Sequence, residues 1–459
     1  MTSPERLPAE KFEAEELENS FPLDVGRRFR SDAAESLVLT VLEGMRSGEH
    51  RRRKERATSE ARKRASVETL LANLAAAALN TVDPDRFAAI SFNRNDYTGT
   101  ELSDVAMRQC RDYLAAKGMI EGAGGFQRWD AVGDGRFGRR TRIRATDHLR
   151  LEFDRIGIGR KSLTIPASQL IRIRARSDDV PSNPPEDVEA SRDLLERVNR
   201  RLASLRLDLS AEAHAILASQ HLEDEGEEKA DRERKRRYAG DLTATSLYRA
   251  FKGGWNLGGR IYGGWWMSTP RALRPYITID GADVVELDYS ALHPRLLFHR
   301  EGMPMDFDPY LVPGVDSEAA RDLGKRTFNR LLNRNKPRSS QRLVLRASHG
   351  DRALLPKGMS FATYRAALCG QLADIQEWFG TGEGVRLQRA DSELAIGILA
   401  ALEAASIPVL PVHDSFLVPA QHEQALWTAM TDVFFSQHGF MPKISPKFRD
   451  RLPGSSRHA

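Results

Sequence analysis

The sequence predicts an α+β fold, with helices and a short hairpin in the N-terminal third and an antiparallel sheet in the C-terminal half. Three observations predict it. VELDYSALHPRLL at 285–297 is a short apolar run that stops at Asp288 and passes into helical spacing. IPVLPVHDSFLVP at 407–419 reads as two strands turning through His413 and Asp414. Between residues 31 and 176 the pattern runs helix, strand, turn, strand.

Residues 1–30, opening MTSPERLPAEKFEAEE, are acidic and polar, which predicts a flexible end and no secretory leader. Leu37 to Met45 and Val67 to Leu79 carry helical patterns. A third helix is expected from Ser103 to Ala116, with Leu102, Ala106, Cys110, Tyr113 and Leu114 at helical spacing and capping character at its start. RRRKERATSEARKR at 51–64 concentrates cations; such a run suits phosphates or simply forms an exposed charged helix. After Gly118 come a strand at Met119-Ile120, a Gly-rich bend at 122–125, a basic stretch ending RFGRR and the strand TRIRAT at 141–146. This order resembles a winged helix, in which the third helix enters a DNA groove and the hairpin touches the backbone. The resemblance implies DNA contacts at Arg108 and Arg111, and on the wing at Arg139, Arg140 and Arg142. The other reading of the same elements is a winged helix that packs only against protein.

SDDVPSNPPED at 177–187 is polar and Pro-rich and reads as a linker. Residues 188–250 are charged and helix-rich, with HLEDEGEEKADRERKRR at 221–237 expected to be solvated. Beyond 251, Val284, Val285 and Leu287 give strand character, and Leu292, Leu296 and Leu297 share a helical face, so Asp288 falls at a strand end. Pro408 ends a helix, Val409 to Val412 is extended, and Ser415 to Val418 returns as a strand. Pro411 places the first arm at a sheet edge or a bulge. A strand-end aspartate is most often a turn former. Two of them at strand ends are also the ligands that a pair of Mg²⁺ ions needs for phosphoryl transfer.

Between the aspartates lies RDLGKRTFNRLLNR at 321–334, where Arg321, Lys325 and Asn329 share a face and Leu323, Leu331 and Leu332 are available to a core. A basic face is usually solvated; here it is also placed to meet phosphates. LQRADSELAIGILAAL at 387–402 reads as a helix with Leu394, Ile398 and Leu402 on one side and Gln388, Asp391 and Ser392 on another.

DYSALHPR resembles the first catalytic motif of family A DNA polymerases, DYSxxELR. VHDSF resembles the third motif of that family and of the single-subunit phage-type RNA polymerases. The 321–334 segment is similar to their R-xxx-K fingers helix, GGRIYGGWW at 258–266 to the glycine-arginine segment before the first motif, and 387–402 to the palm helix leading into the hairpin. The resemblance covers roughly the C-terminal half. It implies a palm with an antiparallel sheet and helical fingers over 251–459, and a helical thumb over 188–250. It also implies two Mg²⁺ held by Asp288, Asp414 and the Tyr289 backbone carbonyl. Lys325, Arg321, Arg326 and Asn329 would meet the triphosphate, His413 would shape the primer end, and Arg260, Arg271, Arg274 and Gln388 would approach the primer-template. Three departures stand out. His293 replaces the glutamate that crowds the ribose 2′ position, Ser415 matches the RNA polymerases, and Asn333-Arg334 stands where Tyr-Gly is usual. The choice of sugar therefore stays open.

A chain of 459 residues predicts two or three domains. Its two cysteines, Cys110 and Cys369, exclude a disulfide framework and a cysteine-based zinc site. No apolar run is long enough for a bilayer, so the expected setting is cytoplasmic with no membrane partner. The net charge of +5 suits a DNA partner through its distribution more than its size. The expectation is a compact DNA polymerase without proofreading, taking a DNA primer-template and nucleoside triphosphates. It would serve replication or repair of a phage- or plasmid-like element, beside other replication proteins. A single-subunit RNA polymerase or primer-synthesising enzyme is the first alternative. A DNA-binding initiator or regulator with an inactive palm is the second, and the fingers lysine beside both aspartates argues against it.

Overall fold

The computed structural model describes residues 12–30, 32–47, 56–80, 84–97, 100–129, 136–174, 183–223, 242–315, 317–334, 345 and 347–448. These form an α+β protein of two compact units, one drawn from 1–180, 186–248 and 262–284, the other from 181–185, 249–261 and 285–459. Among the described residues no helix is long and apolar enough to cross a membrane.

In the first unit the three expected helices are Asp32–Ser47, Ala57–Ala78 and Asp104–Ala116. Their apolar stripes meet: Leu37, Val38 and Val41 pack in one core with Val67, Leu70, Leu74, Met107, Cys110 and Leu114. Ser103 caps the third helix, its Oγ accepting the Ala106 N–H at 3.3 Å. Of the basic run at 51–64, residues 56–64 are described; they form the start of the second helix, where Arg64 pairs with Glu35 at 2.6 Å and Lys63 is buried. A four-stranded sheet takes the order Ser20–Pro22, Phe87–Ile90, Thr141–Ala145, Ile120–Ala123, parallel in the first pair and antiparallel in the others. The Gly-rich bend expected at 122–125 starts later than the sequence pattern indicates. Gly122 lies within the strand, where a Cβ would stand 1.9 Å from the Arg142 carbonyl oxygen, so the glycine permits close strand approach. Phe126–Trp129 and Arg136–Arg139 then form a separate antiparallel pair.

The end expected to be flexible over 1–30 is ordered across the described residues 12–30, with a helix at Ala14–Glu18, strands at Ser20–Pro22 and Arg28–Phe29, and Leu17 and Phe21 buried, because their apolar side chains pack into the first unit. The helix Glu186–Ser204 begins inside the stretch read as a linker, most of which lies outside the described residues. The region 188–250 is not purely helical: Leu207–Leu209 is a strand that pairs antiparallel with Ile277–Ile279, and residues 224–237 of its charged segment lie outside the described residues.

The strand Ala282–Tyr289 runs from the first unit into the second, and its last six residues are buried. Burial on both faces explains its near-continuous apolar reading. In the second unit Leu287, Asp288 and Tyr289 pair antiparallel with Pro446, Ser445 and Ile444. The other neighbour is Ser415–Pro419, which forms a hairpin with Leu410–Val412. Leu410–Val412 ends the sheet order, so Pro411 sits on an edge strand, as its missing N–H requires. GGRIYGGWW is more regular than a Gly-rich turn, since Gly258–Tyr262 is a strand.

Helices Leu292–Arg300, Glu318–Asn333, Glu383–Ala404 and Glu423–His438 also belong to this unit. Glu318–Asn333 buries Leu323, Phe328, Leu331 and Leu332 and is capped by Ser317. At Gly324 a Cβ would stand 1.9 Å from the Tyr310 carbonyl oxygen, so main chain meets main chain with no room for a methyl. Gly324→Ala should therefore destabilise the protein by about 1–3 kcal/mol through forced backbone shifts. Urea denaturation of parent and variant measures this, and an unchanged midpoint would mean that the helix moves aside without cost.

Candidate active site

Asp288 and Asp414 come together because one strand ends where its neighbour begins. The Tyr289 N–H donates to the Asp414 carbonyl oxygen at 3.2 Å, and Asp414 follows His413 in the two-residue turn of the hairpin. His413 takes a left-handed conformation, φ 60°, at a turn position where glycine is often favoured. Burial pushes the Asp288 carboxyl up to about 7, the charge of Asp414 adds to this, and Lys447 and Lys325 pull the other way. Two positions back on the same face, Glu286 is fully buried and accepts the Ser415 hydroxyl at 2.6 Å. Ser415, read from sequence as a family marker, thus has a structural bond inside the sheet.

Tyr289 turns its ring into the core, packing on Phe434 at 5.4 Å and donating its hydroxyl to the Met430 carbonyl at 2.6 Å. Any part it takes in the site comes from its backbone. On Glu318–Asn333, Lys325, Arg326 and Asn329 are exposed, and Lys325 lies within electrostatic reach of Asp288. Arg321 is held: its Nε donates to Asp308 Oδ2 at 2.6 Å and its guanidinium lies over Tyr310 at 5.4 Å. Burial first, then the charge of Asp414, pushes the Tyr310 phenol up, so this ring borders the same site.

A second set of charges lies on Glu383–Ala404. The polar side of that helix is partly buried: Asp391 and Ser392 are out of water, met by Arg260 from the strand Gly258–Tyr262 and by Arg249 from the strand Tyr248–Lys252. Arg260 donates Nε to Asp391 Oδ2 at 2.8 Å and its Nη2 contacts the same oxygen. His293 Nε2 stands 3.6 Å from that oxygen. Burial would raise the Asp391 carboxyl, but His293 and the Arg260 charge outweigh it and hold it below the usual carboxylate range. Arg249, fully buried, donates to the Gly259 carbonyl at 3.0 Å, to Ser392 Oγ at 2.8 Å and to Glu393 at 2.6 Å. Gln388 is half-buried nearly one turn before Asp391. Arg260 is therefore committed to a carboxylate, where the sequence reading left it open to a template.

The remaining sequence-derived contacts belong to the first unit. Arg271 is exposed, and Arg274 donates to the Thr269 carbonyl at 3.2 Å. Arg108 is exposed with its guanidinium over Phe92 at 4.6 Å, while Arg111 lies over the same ring at 4.9 Å and bonds Asp112 at 2.6 Å. Arg139 lies over Phe126, Arg140 is exposed 3.4 Å from Asp96, and Arg142 donates to the Leu17 carbonyl at 2.8 Å. Arg108 and Arg140 remain the most accessible of the five.

Lys447 is the site residue that the sequence reading missed. Its Nζ stands 2.5 Å from Asp288 Oδ2. A lone lysine near the end of a chain carries no motif, and only the strand pairing at 444–446 brings it there. Glu286 did leave a signal, as a carboxylate two residues before Asp288 in an apolar strand. Among the described residues no three His, Cys, Asp or Glu side chains form a metal-binding group. A Mg²⁺ here would rest on two carboxylates plus oxygens from the substrate, a common arrangement beside phosphates. The crowded hard-oxygen pair fits that role. In comparisons with known proteins, no family model and no curated protein matches the chain. The functional reading accordingly rests on the site itself.

For Asp288 the folded-state value of about 7 lies above the ordinary 3.8, so its stabilising contribution is full below about pH 4 and is lost as pH rises through 7. In EDTA the protein should lose roughly 1–4 kcal/mol across that window relative to Asp288→Asn. Urea midpoints of both proteins at about pH 5 and about pH 8 measure it. A pH-independent difference would contradict the crowding of the pair.

Proposed function

We propose that the chain is a template-directed nucleotidyltransferase, a DNA polymerase of family A type. What carries this reading is the convergence of Asp288 and Asp414 at adjacent strand ends with the exposed Lys325 in electrostatic reach. The two carboxylates would hold two Mg²⁺, which when bound activate a primer hydroxyl and offset charge on the departing pyrophosphate. Lys325, on an exposed helical face, supplies a mobile ammonium to the triphosphate. Arg321, oriented by Asp308, adds a fixed guanidinium beside it. His293 is held by Asp391 on the helix that follows Asp288, where its bulk would border the sugar of an incoming nucleotide. In the first unit a winged-helix reading gives Arg108, on the helix that would enter a groove, and Arg140, on the wing that would touch the backbone, as DNA contacts, favoured by their exposure. The proposed setting is cytoplasmic replication or repair of a phage- or plasmid-like element.

Primer extension on DNA and RNA templates, with dNTPs and rNTPs supplied separately, tests the reading. Asp288→Asn or Asp414→Asn should abolish Mg²⁺-dependent incorporation while DNA affinity, which rests on dispersed cations, stays near the parent's. Lys325→Ala should slow incorporation by about 100-fold. Substantial turnover by any of these three variants would remove the corresponding role.

The sugar is tested at His293. His293→Ala removes bulk without touching the carboxylate pair and should raise the rNTP to dNTP ratio of kcat/KM by about tenfold or more. An unchanged ratio takes His293 out of sugar selection. A parent that prefers rNTPs moves the assignment to an RNA polymerase or primer-synthesising enzyme.

A further inference from the structure

Lys447 stands on a carboxylate oxygen that a metal would also seek. The ammonium lies 2.5 Å from Asp288 Oδ2, with both side chains largely out of water at 24% and 12% exposure. Its main chain is fixed independently of that contact. The Lys447 N–H donates to the Glu286 carbonyl at 2.9 Å, residues 444–446 pair with 287–289, the Ser290 N–H donates to the Lys443 carbonyl at 2.8 Å, and the Ser290 and Ser445 hydroxyls meet at 2.8 Å. The root of the side chain is therefore rigid, while its four-carbon stem can swing. Two carboxylates crowded at a strand end call for a counter-charge whenever no metal supplies one.

We infer that Lys447 is a resident cation of the carboxylate pair, holding Asp288 Oδ2 in the metal-free protein and leaving it when a divalent cation enters. The inference rests on the reading of Asp288 and Asp414 as metal ligands and adds a positioning residue to that site. Metal entry is then an exchange of one cation for another, with the C-terminal strand staying in place. The exchange lowers the site's affinity for a metal that arrives without a nucleotide. The phosphates of a bound triphosphate add ligands and favour the exchange. An arginine would serve less well, because its planar fork would grip the carboxylate in two bonds and release it less readily.

The test is Mn²⁺ binding to the full chain, followed by electron paramagnetic resonance without nucleotide or nucleic acid. Lys447→Met should bind Mn²⁺ about tenfold more tightly than the parent, the effect of losing an ion pair of about 1.4 kcal/mol. Lys447→Gln, polar and uncharged, should show the same gain. In an Asp288→Asn background the lysine substitution should change nothing, because the pair it breaks is already gone. Equal or weaker binding in both lysine variants overturns the inference. So does an equal gain in the Asp288→Asn background, which would mark a general charge effect. Primer extension is read separately. Tighter Mn²⁺ binding in variants of a protein that extends no primer sinks the polymerase reading and leaves this inference standing. Primer extension with unchanged Mn²⁺ affinity does the reverse.

Discussion

The second unit is organised around one electrostatic constraint: two carboxylates share the end of a sheet with little water. Asp288 is nearly buried and Asp414 half-buried, and burial, then the charge of Asp414, makes Asp288 costlier to ionise. Much of what surrounds them answers that cost. Lys447 arrives from one strand and Lys325 from a helix, while Ser415 and Glu286 settle their own hydrogen bond within the sheet. The sheet supplies the rigidity. Asp288 is held by pairing along its own strand, and the Asp414 carbonyl is tied to the Tyr289 N–H, so neither carboxylate can easily retreat.

The arginines and lysines near this site are used differently. Arg321, Arg260 and Arg249 are each committed to a carboxylate, at Asp308, Asp391 and Glu393 respectively. A guanidinium can stack, fork and be buried while remaining charged, which suits it to fixing one element against another. Lys325 is exposed on its helix, a compact charge on a flexible stem. Spacing on the helix makes Arg321 and Lys325 look equivalent; their surroundings make one a strut and the other a reaching arm.

The parts legible in the sequence are those written in local pattern. The strand ending near Asp288, the hairpin through His413-Asp414, the helix carrying Lys325 and the edge position of Pro411 all follow from periodicity or from the chemistry of one residue. Pairings between distant segments were not legible. Nothing local says that Asp391 will meet Arg260, that Lys447 will meet Asp288, or that Gly122 makes room for Arg142 across a strand pair rather than turning the chain. A buried aspartate and an exposed one look alike in a helical pattern, and the arginine that decides between them lies far away in sequence.

The contact at Gly324 bears on movement. The glycine lies flat against the Tyr310 carbonyl, and Arg321 is bonded to Asp308. The helix Glu318–Asn333 is thus latched along its first turns to the loop before it. Any rotation of that helix would carry residues 308–310 with it as one rigid piece, with the Arg321 ion pair intact. The pivot would then lie outside this latched block, in the chain before Asp308 or after Asn333.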